Sequence, residues 1–210
     1  MNRWFIATAA VLCLLPGALR AQPLEIAPFG GYRFFGSLED YSGATLESED
    51  APVFGGLVTY WFDASGEDVG LEFGFSRQDS EVELSVPFEG RQTFDVKIDH
   101  WSVGAHIMAG SARSTVRPLA GAFLGATHMT SSDGPGSVTR VLTGGNLGAK
   151  INPGGGRLGM RLETRGYITL AGKGETYVGC GTGGCSFGFG ATVFAQLELL
   201  AALSVALGPR

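Results

Sequence analysis

Apolar and polar side chains alternate along most of this chain. Val69, Leu71, Phe73 and Phe75 are apolar, and Gly70, Glu72, Gly74 and Ser76 between them are small or polar. Successive side chains of a strand point to opposite faces, so a period of two gives one apolar face and one polar face. Trp101, Val103, Ala105 and Ile107 stand against His100, Ser102, Gly104 and His106 in the same way. In "VRPLAGAFLGATH", Arg117, Gly121, Gly125 and Thr127 oppose Ala120, Ala122, Leu124 and Ala126; next along, Arg140, Asn146 and Lys150 oppose Val141, Leu147, Ala149 and Ile151. "RLGMRLETRGYITL" sets Leu158, Met160 and Leu162 between Arg161, Glu163 and Arg165. No stretch carries a capped 3.6-residue stripe, so the prediction is all-β. Eight strands are expected: Leu24 to Gly36, Val53 to Phe62, Val69 to Val86, Thr93 to Met108, Val116 to His128, Thr139 to Ile151, Arg157 to Leu170, and a last one from near Ser186.

The connections alternate in length. "DASGED", "AGSARS" and "NPGGG" are short and rich in turn formers. The others are long: "SLEDYSGATLESEDAP", a tip around "PFEGRQ" near Glu89-Gly90, "TSSDGPGSV" and "AGKGETYVGCGTGGCS". That rhythm, with an even strand number, predicts an antiparallel up-and-down transmembrane β-barrel with tight turns at one end and larger loops at the other.

The third and fourth strands also invert. Beyond Phe75 the odd positions become Arg77, Asp79, Glu81 and Glu83 while Val82, Leu84 and Val86 fall on even ones; on the returning strand Asp95, Lys97 and Asp99 are odd and Phe94, Val96 and Ile98 even. Phase is kept but polarity switches on both strands at matching height. A hairpin with its lower half in lipid and its upper half in water accounts for this without a paired slip of register. Centring the last hairpin on Cys180 and Cys185 predicts Leu158 opposite Leu207 and Leu162 opposite Leu203, with the final strand running to Leu207 or stopping near Leu200.

The first residues, "MNRWFIATAAVLCLLPGALRAQP", combine Arg3, an apolar run from Trp4 to Leu15 and a break before Ala21. This predicts a secretory signal peptide over residues 1–21, with the barrel domain over 22–210; the run is too short for a spanning helix. Export to an oxidising compartment makes a disulfide between Cys180 and Cys185 the expectation, and two thiols with no nearby histidine make a poor metal site. Glycine, at 34 of 210 residues, suits a barrel, and a formal net charge of −5 excludes an electrostatic nucleic-acid binder. No cofactor is expected.

"LEIAPFGGYRFFG", "STVRPLAGAFLGATH" and "TGGNLGAKINPGGGRLGMRLETRGYITL", together with the loop rhythm, resemble the small outer-membrane β-barrel family, the eight-stranded barrels of the OmpA transmembrane-domain and OmpX type. The resemblance covers the whole mature chain and implies the bacterial outer membrane as its location and membrane lipid as its surroundings; a monomer is expected.

An eight-stranded barrel has room inside only for side chains. The expected inward network is Glu25, Arg33, Glu72, Arg117, Lys150, Arg161, Glu163, Arg165 and Glu198, five positive and four negative residues. Val69, Leu71, Phe73, Phe75, Trp101, Val103, Ile107, Leu158, Met160 and Leu162 are expected to face lipid. Leu162→Arg is therefore expected to harm the barrel more than Arg161→Gln. A filled lumen disfavours a wide porin and favours an anchor that presents loops, here the acidic Glu39, Asp40, Glu47, Glu49 and Asp50, joined by Asp79, Glu81, Glu83 and Glu89, as a surface for an extracellular partner. Three other readings compete: a narrow ion or solute channel; a lipid-modifying enzyme using His128 with Ser131 or Ser132, or His100 near Asp99; and a soluble lipocalin-like carrier, which would need its apolar side chains inside.

Overall fold

The computed structural model describes residues 24–35, 38–39, 45–64, 66–86, 90–111, 114–131, 137–153, 156–170, 177–181, 184–188 and 193–207. Eight long strands carry the alternating segments: β1 (Leu24–Phe35), β4 (Ala51–Ala64), β5 (Glu67–Val86), β6 (Gly90–Met108), β7 (Val116–Ser131), β8 (Ser137–Ile151), β9 (Leu158–Leu170) and β12 (Val193–Leu207). Short strands occupy two long connections: β2 (Leu38–Glu39) and β3 (Thr45–Ser48) between β1 and β4, and β10 (Tyr177–Gly181) and β11 (Gly184–Gly188) between β9 and β12. The last barrel strand thus begins at Val193, later than the expected Ser186, because Gly184–Gly188 pairs back on β10.

Each long strand pairs antiparallel with its neighbours, and β12 closes the ring on β1. The hydrogen-bonding rung that starts at Glu25 passes through Thr59, Glu72, Gly104, Phe123, Gly144, Tyr167 and Gln196, and returns to β1 at Phe35, ten residues higher. Eight strands with that stagger give a tilt of about 40° and a backbone radius of about 8 Å. A cylinder of this width is filled by the side chains it turns inward.

The short turns sit at one end. In the first, Gly66 has φ 89° and its amide donates to Asp63 Oδ1 at 3.1 Å; an L side chain would be strained there. At the other end β5 and β6 run on as a paired ribbon to Val86 and Gly90, and Glu89 of the expected tip lies outside the described residues. β3 joins the free edge of this ribbon, Glu47 opposite Glu83.

One register departs from expectation. β12 runs to Leu207, but Leu158 pairs with Val205 and Leu162 with Ala201, two residues from the predicted partners. The hairpin tip does keep the Cys180–Cys185 pairing, so the two-residue offset enters between tip and barrel. An even slip leaves every side chain on its own face, and alternation therefore carries no information about it.

Candidate functional site: the lumen and the rim

Strand phase determines who enters the lumen. Glu25, Arg33, Glu72, Lys150, Arg161, Glu163, Arg165 and Glu198 are all buried inside the cylinder. β9 and β5 lie four strands apart in either direction around the ring, so Arg161 and Arg165 of β9 reach Glu72 across the full diameter. Arg161 Nη2 donates to Glu72 Oε2 at 2.8 Å, and Arg165 Nη2 to Oε1 at 2.7 Å. Thr59 Oγ1 also donates to Oε2, at 2.9 Å, and His106 Nε2 stands 3.2 Å from Oε1. Glu163 ties the two arginines together from their own strand, at 2.5 Å from Arg161 and 2.8 Å from Arg165, and accepts from Asn146 at 2.9 Å.

Below this strut, Lys150 and Trp61 Nε1 both bind Glu25, and Arg161 Nη1 stands 3.6 Å from the same carboxylate. Above it, Arg33 pairs with Glu198 at 2.5 Å and donates to Ser76 Oγ at 2.6 Å, while the Tyr167 hydroxyl donates to Glu198 at 3.1 Å. Arg33 also lies over the Tyr167 ring, 5.2 Å from its centroid. Small inward residues make space for these long side chains. A Cβ at Gly148 would fall 2.7 Å from Glu163 Cγ, and one at Gly121 would be 2.7 Å from Asn146 Oδ1.

Arg117 is inward in phase but sits at the short-turn mouth, paired with Asp68 at 2.5 Å and donating to the carbonyls of Met108 and Gly110. Asp68 is the fifth acid that the expected network of five bases and four acids lacked. It was missed because it borders the "DASGED" turn, although its phase matches Glu72. His106, Tyr167, Thr59 and Ser76 were also missed as partners, and inward phase was the available signal for each. The lumen is not purely ionic either: Phe29, Leu57 and Leu200 pack together on one wall, and Phe123, Leu142 and Tyr167 on another.

The outer face has the opposite character. Leu71, Phe73, Trp101, Val103, Ile107, Leu158, Met160 and Leu162 are exposed on it, with Val69 and Phe75 half-buried in the same phase. Leu124 and Leu147, on neighbouring strands, are each 68% exposed. A contiguous apolar wall of this extent does not belong on a surface bathed in water. Greasy outside and charged inside is also the reverse of the lipocalin-like alternative.

Above Phe75 and Trp101 the polarity inverts as expected. Asp79, Glu81, Asp95 and Lys97 are exposed outward, while Gln78, Ser80, Val96 and Ile98 are buried inward. The side chains of Val82, Leu84, Val86 and Phe94 lie outside the described residues. Arg77 grips Asp99 through two 2.7 Å hydrogen bonds, which together with the charge of Asp99 raise the guanidinium above its ordinary value. The Glu49 amide donates to the Glu81 carbonyl at 3.0 Å, placing the first long connection against the ribbon. Between them is an open cleft of about 470 Å³ lined by Glu49, Asp79, Glu81, Asp95 and Lys97. Asp50 is exposed beside it; Glu39, Asp40, Glu47, Glu83 and Glu89 have side chains outside the described residues.

Of the histidine candidates, His100 and Asp99 face opposite sides of β6, His100 into the lumen and Asp99 outward, as adjacent strand residues must. His128 Nδ1 meets Thr139 Oγ1 at 2.9 Å; the Ser131 side chain and Ser132 lie outside the described residues. Cys180 and Cys185 are direct partners in the β10–β11 ladder, and their side chains lie outside the described residues, as does the whole expected signal peptide.

No protein-family model and no curated protein matches the sequence. Among solved structures, the chain is similar to Neisserial surface protein A at 14% identity, covering 87% of this chain and 96% of that one, with a TM-score of 0.55. It is also similar to the N-terminal β-barrel domain of Pseudomonas aeruginosa OprF, at 13% identity over 87% and 97% of the two chains and a TM-score of 0.43. The outer membrane protein AlkL, determined in lipid bilayers, gives 14% identity over 90% and 92%, with a TM-score of 0.44. With its ring of eight strands, apolar outer wall and charged interior, this chain has the fold of the small bacterial outer-membrane β-barrels.

Proposed function

We propose that this outer-membrane barrel is a closed, non-enzymatic anchor that carries an acidic surface on the cell exterior. The carrying observation is the Glu72 strut: two arginines from the far wall meet one carboxylate across the full diameter, so the hollow is crossed where a channel would need to be open. The long-connection end faces outward in this reading, as in other bacterial barrels, and the short turns face the periplasm. Function then rests on the β5–β6 ribbon and the first connection, whose Glu49, Asp79, Glu81 and Asp95 outnumber Lys97 and suit a cationic partner. Residues 1–21 act as the export signal, and a Cys180–Cys185 disulfide closes the last hairpin. Directly opposed strand residues lie about 4.5–5.5 Å apart, within a disulfide's reach. The barrel works as a monomer.

A single substitution tests orientation and disulfide together. Glu81→Cys on intact cells should react with a membrane-impermeant maleimide, while the wild-type chain stays unlabelled until reduced. Labelling of Glu81→Cys only after cell lysis would overturn the outward placement of the ribbon, and labelling of unreduced wild type would overturn the disulfide.

A further inference from the structure

The apolar wall does not have the same height all round. Its upper limit follows one hydrogen-bonding rung: Phe75, Trp101, Ala126, Val141 and Leu170 are successive Cα partners and are all outward and apolar. From β5 to β8 the next outward rung up is polar, running Arg77, Asp99, His128 and Thr139, whereas on β4 the partner of Arg77 is the exposed Phe54. Rungs lie perpendicular to strands, and the strands are tilted. Each step along a rung from β5 toward β9 therefore climbs about 3 Å, and each residue along a strand about 2.5 Å. The lower limit stays near the short turns on every strand. The apolar wall from Val69 to Phe75 on β5 then spans about 15 Å, whereas that from Leu158 to Leu170 on β9, diametrically opposite, spans about 30 Å. A bilayer's hydrocarbon core is about 30 Å thick, and the apolar band of a barrel about 25 Å. One wall fits; the other is short by about two-fifths to a half.

Tilting the barrel moves both edges of the short wall together and leaves its span unchanged. Phe75 and Trp101 are packed rings, 4.4 Å between centroids, of the kind that settles at a membrane interface, and the charged pair Arg77–Asp99 stands directly above them. We propose that the β5–β6 wall is a lipid-thinning surface. Outer-leaflet headgroups dip there to the level of Arg77 and Asp99, so the acidic ribbon rises from a depression in the membrane. The occupant of this surface is outer-leaflet lipid, drawn down because the alternative leaves an ion pair and His128 in hydrocarbon. This inference rests on the membrane reading above.

Trp101 reports on it. By the ladder geometry Leu197, exposed on β12, stands within about 3 Å of the height of Trp101 but on the tall side. The experiment compares the fluorescence of wild-type minus Trp101→Phe with that of Trp101→Phe/Leu197→Trp minus Trp101→Phe, in vesicles whose phosphatidylcholine is brominated near the headgroup or near the chain end. Trp101 should be quenched at least twofold more by the shallow bromines than by the deep ones, and the tryptophan at 197 should show the reverse order. Arg77→Leu/Asp99→Leu extends the wall by one rung and should move Trp101 toward the deep pattern. Equal profiles for the two tryptophans would overturn the thinned wall while leaving the barrel in the membrane. No quenching of either would overturn the membrane reading itself.

Discussion

Glu72→Gln removes one charge from the centre of the lumen while keeping the side chain's size. Three donors converge on the Glu72 carboxylate, Arg165 at 2.7 Å on one oxygen and Arg161 at 2.8 Å and Thr59 at 2.9 Å on the other, and His106 Nε2 stands 3.2 Å from the first oxygen. Glutamine keeps one acceptor and turns an amide NH₂ toward the remaining donors, so one guanidinium loses its bond and faces another donor. Both arginines keep Glu163, and Arg161 keeps Glu25 at 3.6 Å, which softens the loss. Removing one partner of a buried ion pair costs about 3–5 kcal/mol, and the surviving contacts place this case near the lower limit, at about 3 kcal/mol. Asp68→Asn, at the half-exposed mouth where Arg117 retains two carbonyl acceptors, should cost less than about 1 kcal/mol. Urea unfolding in lipid vesicles, followed by tryptophan fluorescence and by the heat-dependent gel shift of folded barrels, measures both. A Glu72→Gln loss no larger than that of Asp68→Asn would refute the cross-diameter strut.

Leu162→Arg, 43% exposed on the apolar wall, should destabilise by about 2–4 kcal/mol in bilayers, measured by the same unfolding assay. Arg161→Gln should cost a comparable amount, about 3–5 kcal/mol, because Arg161 meets Glu25, Glu72, Glu163 and Thr59; the sequence-based expectation of a milder effect weighed lipid contact alone. Gly144→Ala should lose about 1–3 kcal/mol, since its Cβ would lie 2.7 Å from the Phe123 ring and against the Gly166 carbonyl, whereas Gly56→Ala, with nothing within 4 Å, should unfold at a midpoint close to wild type.

Facing was legible in the sequence, and pairing was not. Period two alone assigned Glu72, Arg161 and Arg165 to the inside and Phe73, Val103 and Leu162 to the outside, because a strand has only two faces. The inversion beyond Phe75 was visible for the same reason, and buried Val96 and Ile98 confirm it on β6. Alternation is blind to shifts by two, which is why Leu158 was assigned Leu207 when it meets Val205. It is equally blind to the stagger that decides which inward residues share a height. That stagger lets Arg161 and Arg165 converge on Glu72 and gives Arg117 the unforeseen Asp68. The slanted upper limit of the apolar wall has the same origin: it is a straight rung in the ladder, and only the closed, tilted ring converts it into unequal heights.

The closed lumen is tested most directly by ion current through the purified, refolded chain in a planar lipid bilayer. The account predicts no unitary steps above the lipid baseline for wild type, with insertion confirmed on the same sample by the heat-dependent gel shift. Steady, ohmic openings in the wild-type chain would mean that Arg161, Arg165 and Glu72 do not hold the hollow shut.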